Sequence, residues 1–354
     1  MILNIKTPIK FEVYVMKKFL SIAVIAIMTA SIIITQTGCT EKPVSKTSYY
    51  MDTLCQITIY DMEAMGQENA ENAINTAFAL CAEYESLISA TIEGSDIYKV
   101  NHADGKAVAC DLRTVSLLKK ALYYGDLSSG KFDITIGKAA ALWDFHESEP
   151  KVPSTAAVEE AMQGVDYLAV KIDGNDVTLE NPKAEITLGG IGKGYVADRA
   201  AECLEELGVT SAVVNFGGNI IVIGDKGGDA FKIGIEKPFS DSGEIVGYVE
   251  TANKTVVTSG IYERGFEGAD GTYYHHILDV ETGWPVNNDV VSVSLVGDKG
   301  TSADCDAMAT ICLMLGVEEG IDFIEGIDGV EALFVDKDGV LTKTSGFTGF
   351  TEEK

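Results

Sequence analysis

The chain has 354 residues, 46% of them hydrophobic, and a formal charge of −27 at pH 7. That acidic balance argues against nucleic acid or an anionic membrane face as the partner, and it requires any phosphate site to be locally positive or filled by a metal. The seven cysteines are scattered and form no C-x-x-C pair; with Cys39 set aside, the rest read as buried small hydrophobes with no disulfide indicated.

The first elements are targeting signals. Residues Met1–Val15 read as an upstream extension, and Met16-Lys-Lys restarts an export signal whose apolar run spans Phe19–Ile34. This run is too short and too poorly flanked for a membrane span. It ends in Gln36-Thr-Gly-Cys39, which resembles a bacterial lipobox with Gln36 in the place usually held by Leu. The expectation is a signal peptide over residues 1–38 and a mature chain that starts at lipidated Cys39. That chain would be held at the extracytoplasmic face of the cell membrane by its acyl chains. Residues 39–48 read as the lipidated cysteine and a polar tether, and residues 49–354 as one large domain.

Within that domain, Tyr49–Tyr60 alternates and is rich in Thr, Ile and Tyr, the pattern of a strand. Residues Gly66–Leu87 carry Ala73, Ala77, Leu80, Tyr84 and Leu87 at helical spacing, and Leu112–Leu127 is a second helix. A short buried strand, Ile186–Leu188, feeds a glycine cluster and then the helix Tyr195–Leu207, closed by Gly208. Strands follow at Ala212–Phe216 and Ile220–Ile223 around Gly217-Gly218, then at Phe231–Glu236, Val246–Thr251 and Val290–Val296. A helix over Ser302–Leu315, with Thr301 as its N-cap and Gly316 as its stop, precedes a hairpin of Ala332–Val335 and Val340–Lys343 around Asp338-Gly339. In that helix Cys305 and Cys312 stand about 10 Å apart along the axis, too far for a disulfide. Helices mixed with mostly antiparallel strands, without a fixed βα repeat, define an α+β class.

Three groups of residues point to chemistry. Asp306 and Thr310, at i and i+4 on a helix, lie about 6 Å apart at Cβ on one face. A carboxylate and a hydroxyl there suit a hard cation such as Mg²⁺, although a dipole-stabilising Asp and a back-bonding Thr give the same pattern. Gly189, Gly190, Gly192 and Gly194 bare the backbone at a strand-to-helix junction, where a helix N-terminus favours phosphate, and Lys193 adds positive charge. The cluster is not a P-loop, since Gly194 follows the Gly-Lys pair, and Gly192-Lys-Gly-Tyr-Val-Ala197 is a weak match to the dinucleotide fingerprint. His275 and His276 are adjacent, so only one faces a given cleft. At an ordinary pKa near 6.5 a histidine is a ready general base. No further His or Cys lies at a zinc spacing.

Taken in order, these motifs resemble the ApbE family of flavin transferases. The elements are Met51-Asp-Thr53, Ser95-Asp-Ile-Tyr-Lys-Val-Asn101, Phe132-Asp-Ile-Thr-Ile-Gly137 with Leu142-Trp143, Leu188-Gly-Gly-Ile-Gly-Lys-Gly-Tyr195, Val214-Asn-Phe-Gly-Gly-Asn219, Thr258-Ser-Gly260, His276-Ile-Leu-Asp-Val-Glu-Thr-Gly283 and Asp306-x-x-x-Thr310. The resemblance implies a Mg²⁺-dependent reaction with FAD as substrate. A Thr or Ser hydroxyl of an acceptor protein attacks the FMN phosphorus and AMP leaves. It also implies metal contacts from Gly190, Asp306 and Thr310, His276 as base, and a flavin site lined by Met51, Lys131, Phe132, Asp133, Thr187, Lys193 and Leu278. The acceptors it implies are flavoprotein subunits of membrane electron-transfer complexes. The sequence departs from the family's habit at Asp52 (usually Gly), Thr91 (near a stacking Tyr), Thr187 (usually Asp) and Ile261 (often an acid). An FAD pyrophosphatase and a non-catalytic flavin-binding lipoprotein remain the other readings of the same residues.

Overall fold

The computed structural model describes residues 42–143, 145, 150–240 and 243–353. The leader, the lipobox and Cys39 lie outside the described residues. Among the described residues, no helix is long and apolar enough to cross a membrane.

The chain runs β1 (Val44–Tyr50), β2 (Thr53–Ile59), α1 (Met62–Ile88), α2 (Asp96–Asn101), β3 (Val108–Ala109), α3 (Leu112–Leu127), α4 (Gly137–Trp143), α5 (Thr155–Met162), β4 (Val170–Asp173) and β5 (Asp176–Leu179). It continues through α6 (Gly192–Glu206), β6 (Ala212–Phe216), β7 (Asn219–Ile223), β8 (Phe231–Glu236), β9 (Ile245–Thr251), β10 (Lys254–Gly260), β11 (Gly265–Glu267) and β12 (Tyr273–His275). The last elements are β13 (Val290–Asp298), α7 (Ser302–Leu315), α8 (Val317–Glu325), β14 (Glu331–Asp336), β15 (Leu341–Lys343) and β16 (Phe350–Glu352).

A main sheet in the order β1-β2-β6-β7-β10-β13-β14-β15, antiparallel throughout, organises the molecule. Period-two alternation sorts its side chains between two cores. Ala212, Val214, Ile221 and Val257 face the helices, packing with Val196 and Leu204 of α6 and Ile311 of α7. Val213, Val222 and Val256 face the opposite way, against Phe231 and Ile233 of the small sheet β16-β9-β8. A third sheet, β3-β5-β4, sits to one side. This mixed, mostly antiparallel arrangement is the expected α+β class.

Several elements differ from the sequence reading. The strand expected over Tyr49–Tyr60 is a hairpin, because Met51 and Asp52 both take positive φ (51° and 56°) and turn the chain. Two consecutive left-handed residues make the tight hairpin turn usually written with Asn-Gly, so neither residue announces it. The partner strand begins at Val44, which corrects the polar tether assigned to residues 39–48. Lys46 donates to Asn75 Oδ1 at 2.9 Å, so this edge strand is fastened to α1. Gly66 (φ 69°, ψ 160°) breaks the helical path within α1, one turn after it starts at Met62. Strand β10 and helices α2, α4, α5 and α8 were not assigned from the sequence; all four helices are short.

The packing of α6 on α7 is tight because Gly194 lacks a side chain. A Cβ there would lie 2.3 Å from the Ser302 carbonyl oxygen. A Gly194→Ala protein should therefore lose roughly 1–3 kcal/mol or more of stability, seen as a lower urea midpoint; an unchanged midpoint would mean the two helices are not held this closely.

Candidate active site

The α6–α7 crossing brings two helix N-termini together, and each is capped by a carboxylate from the other helix. Asp306 of α7 accepts the Gly194 N–H of α6 on Oδ2 at 3.0 Å. Asp198 of α6 accepts the Ser302 N–H at 3.1 Å and the Ala303 N–H at 3.0 Å, one on each oxygen. Thr301, the expected cap, instead donates its hydroxyl to the Asp298 carbonyl at 2.7 Å. Asp198 supplies the orphan amides with a buried charged acceptor that no local reading could pair with them. Burial is the largest influence on Asp198 and raises its pKa to about 6, against the two amide bonds that lower it.

Asp306 is buried, and its Oδ1 accepts Lys193 Nζ at 3.2 Å and Asn219 Nδ2 at 3.3 Å. Thr310 lies one turn on and donates to the Asp306 carbonyl at 3.3 Å. A Cβ on Gly190 would stand 3.0 Å from Phe132 Cε2 and 3.5 Å from Thr310 Oγ1, so bare backbone fills this gap. The structure thus brings Gly190, Asp306 and Thr310 together with Lys193. Their donors are all oxygens, one of them charged, and among the described residues no three His, Cys, Asp or Glu side chains cluster. That donor set fits a hard cation that keeps positions for water and phosphate, and does not fit zinc. The Lys193 ammonium, also 3.4 Å from the Gly189 carbonyl, shows that positive charge is accommodated here.

The expected flavin-site residues separate into groups. Phe132 is buried and its ring reaches Gly190, while Lys131 beside it is exposed. Thr187 donates its N–H to the Ile134 carbonyl at 2.8 Å, which aligns the 132–137 segment with the chain leading into the glycine cluster. That chain, expected as a strand over Ile186–Leu188, is irregular and carries one isolated parallel bridge, Ile136–Glu185. Asn101 grips it from both sides, donating to the Ile186 carbonyl at 2.9 Å and accepting its N–H at 2.7 Å. Asp133 is held internally: Oδ1 accepts from Thr135 (N–H 2.7 Å, hydroxyl 2.6 Å) and Oδ2 from the Tyr167 N–H at 2.9 Å. Its carboxylate therefore shapes the segment, and burial pushes its pKa up. Met51, in the hairpin turn, donates its N–H to Glu85 Oε1 at 2.6 Å. Leu278 belongs to a separate cluster with Trp143, Tyr274 and Trp284. Trp143 Nε1–H donates to the Gly283 carbonyl at 3.1 Å, joining two motifs far apart in sequence.

The two histidines make different contacts, His275 as the last residue of β12 and His276 in the bend that follows it. His275 is buried, and its Nε2 lies 3.0 Å from the Val286 carbonyl, while Nδ1 has no partner. It lines a small cavity of about 130 Å³ with Ile261, Tyr273 and Leu313. His276 Nδ1 lies 3.2 Å from the Arg264 carbonyl, which can only accept, so Nδ1 carries the proton and Nε2 keeps its lone pair. Crowding by protein, then the Arg264 cation, push its pKa down from 6.5 to about 3, with Lys193 and His275 adding to the effect; the ring is half-buried and keeps solvent contact, which limits the shift. The ordinary titration near 6.5 expected for this base is corrected accordingly.

Sequence reasoning missed Glu263 and Arg264. Glu263 and Gly260 bond reciprocally: the Glu263 N–H donates to the Gly260 carbonyl at 3.2 Å, and Glu263 Oε1 accepts the Gly260 N–H at 3.1 Å. Crowding by protein raises the Glu263 pKa, Asp306 adds to it, and Lys193 opposes it; the residue keeps solvent contact, which limits the effect. The signal in the sequence was the acid two places after Ile261, where the family often carries one.

A sequence profile of the ApbE family matches residues 51–334. An FAD:protein FMN transferase of Treponema pallidum is 32% identical over 319 residues, covering 85% of this chain and 87% of that protein. One of Klebsiella pneumoniae is 33% identical over 270 residues, covering 75% and 83%. Among solved structures, the ApbE protein from Thermotoga maritima superposes with a TM-score of 0.77 at 28% identity, covering 86% of this chain and 97% of its own. The flavin transferase ApbE from Vibrio cholerae superposes with a TM-score of 0.77 at 26% identity, covering 88% and 99%. The chain belongs to the ApbE family.

Because His276 is held neutral, its protonation should begin only well below the ordinary histidine range. The activity of the folded protein should then show no tenfold-per-unit fall between pH 7 and 5, measured alongside circular dichroism to separate unfolding. A limb centred near 6.5 that is absent from His276→Ala would contradict the depressed pKa.

Proposed function

We propose that the protein is a Mg²⁺-dependent FAD:protein FMN transferase that joins FMN through a phosphoester bond to a Thr or Ser of an acceptor protein. Relatives of 32% and 33% identity bearing that name support the overall reaction. The observation that carries the chemistry is the placement of Asp306 at the meeting of two helix N-termini, beside Lys193 and within electrostatic reach of Glu263. With a cation on Asp306, the N-terminus of α6 and the ammonium of Lys193 would favour a pyrophosphate in a protein that otherwise repels it.

Asp306, Thr310 and the Gly190 carbonyl would hold the metal, which when bound neutralises phosphate charge and orients the phosphoryl group for in-line attack. His276 Nε2, its lone pair exposed by the Nδ1–H bond to Arg264, takes the proton of the acceptor hydroxyl. The hydroxyl oxygen forms a bond to the FMN phosphorus as the phosphorus–oxygen bond to AMP breaks. AMP departs with the bonding pair, and the proton on His276 passes to solvent. Lys193, and those amides of the glycine cluster not taken by the Gly192–Leu188 and Gly194–Asp306 bonds, would hold the pyrophosphate oxygens. Phe132 and Thr187, whose side chains lie against Gly190 and Gly189, would border the flavin together with the Met51 turn. Acceptors would be flavoprotein subunits of membrane electron-transfer complexes, reached from a lipid anchor at Cys39 on the extracytoplasmic face.

Incubation with FAD, Mg²⁺ and a candidate electron-transfer subunit, followed by intact mass of that subunit, tests the reaction. His276→Ala should lose transfer by about 10²–10⁴-fold while FAD affinity survives, and Asp306→Ala should lose the metal dependence with the rate. FMN and AMP formed equally with and without acceptor would make the enzyme a hydrolase instead. Because His275 is buried, His275→Ala is expected to lower the melting temperature but keep the rate per folded molecule.

The anchor is tested separately. A Cys39→Ala protein should leave the membrane fraction after signal cleavage; retention there, or a freely soluble wild type, would defeat the lipoprotein reading.

A further inference from the structure

Lys193 is the second residue of α6, at the positive end of that helix and next to the N-terminus of α7. A cation in the first helical turn is disfavoured by the macrodipole. Its ammonium nevertheless turns inward, 3.2 Å from Asp306 Oδ1 and 3.4 Å from the Gly189 carbonyl. The reason lies with Asp306, whose side chain is 2% exposed while that of Lys193 is 20% exposed. A buried carboxylate without a cation is costly, and the neutral donors Gly194 N–H and Asn219 Nδ2 do not cancel its charge. A divalent cation on Asp306 would seek the oxygen that the ammonium already touches, and two cations on one oxygen repel.

We propose that Lys193 is the resident counter-ion of the metal seat, neutralising Asp306 in the metal-free enzyme and passing to the FAD pyrophosphate when metal and substrate enter, a role that rests on the Mg²⁺ reading of Asp306 above. The flexible four-carbon stem of lysine allows the move, and its point charge serves either partner. Metal and FAD then bind with positive coupling. The metal alone must displace the ammonium from its carboxylate without bringing it a new anionic partner, whereas FAD supplies the phosphate oxygens that receive it. Such coupling is reciprocal, so metal tightens FAD as much as FAD tightens metal.

Mn²⁺ titration of the full-length protein by electron paramagnetic resonance, with and without FAD, reads this without any turnover. Wild type should bind Mn²⁺ more tightly with FAD, by on the order of tenfold within the usual range for two coupled sites. In Lys193→Met the binding of Mn²⁺ alone should become tighter than in wild type, and the gain from FAD should shrink. In Lys193→Arg, whose planar fork grips a carboxylate more firmly, binding of Mn²⁺ alone should weaken. Equal or weaker Mn²⁺ binding by a folded Lys193→Met protein, with Asp306→Ala losing the ion, would overturn the counter-ion role and leave the metal site standing. Unchanged Mn²⁺ binding in Asp306→Ala would overturn the metal site as well.

Discussion

The structure depends on a reciprocal exchange of carboxylates between α6 and α7. Asp306 caps the first turn of one helix, and Asp198 caps the first turn of the other. Each places a negative charge where a helix dipole is positive and satisfies amides that have no partner within their own helix. Burial works against both, as the raised pKa of Asp198 records. The arrangement holds because Gly194 lets the helices approach until those bonds are short. The close approach also brings the glycine cluster to Asp306, and so the same contact that fixes the fold brings Gly190, Lys193, Asp306 and Thr310 together.

The main sheet supplies the remaining parts. The Gly217-Gly218 turn returns the chain at Asn219, whose amide reaches Asp306. Strand β10 ends at Gly260, and the turn closed by Glu263 leads to Arg264, whose carbonyl sets the tautomer of His276. Positioning of His276 therefore comes from backbone in a neighbouring segment. Lys193 and Arg264 stand near His276 together with the carboxylates of Asp306 and Glu263. Burial first, and then these cations, lower the His276 pKa, which leaves its lone pair available and makes it a weaker base than an ordinary histidine.

The hairpin turn at Met51-Asp52 illustrates a different constraint. Positive φ at two non-glycine residues carries a local cost, and Asp52 stands where the family usually has Gly. The Met51 N–H bond to Glu85 Oε1 ties this turn to α1. Its geometry is maintained by the surrounding structure, since the sequence at the turn does not favour it.

The sequence by itself determined the α+β class, most of the strands of the main sheet, the span of α7 and the ordered motifs that place the chain among flavin transferases. Those features are local: alternation of two, periodicity near 3.6, glycine stops and short runs of residue types are all written in adjacent positions. It also placed Asp306 and Thr310 on one helical face, because i and i+4 are neighbours on any helix. Only the tertiary structure decided that Asp198, and not Thr301, caps α7, that Asp133 is held within its own segment, and that Leu278 packs with Trp143. The same holds for the pairing of Lys193 with Asp306, 113 residues apart. These pairings depend on how burial and long-range hydrogen bonds divide a limited set of donors among distant carboxylates and carbonyls. The His276 pKa belongs with them, since burial and neighbouring cations set it, and no spacing rule in the chain encodes either.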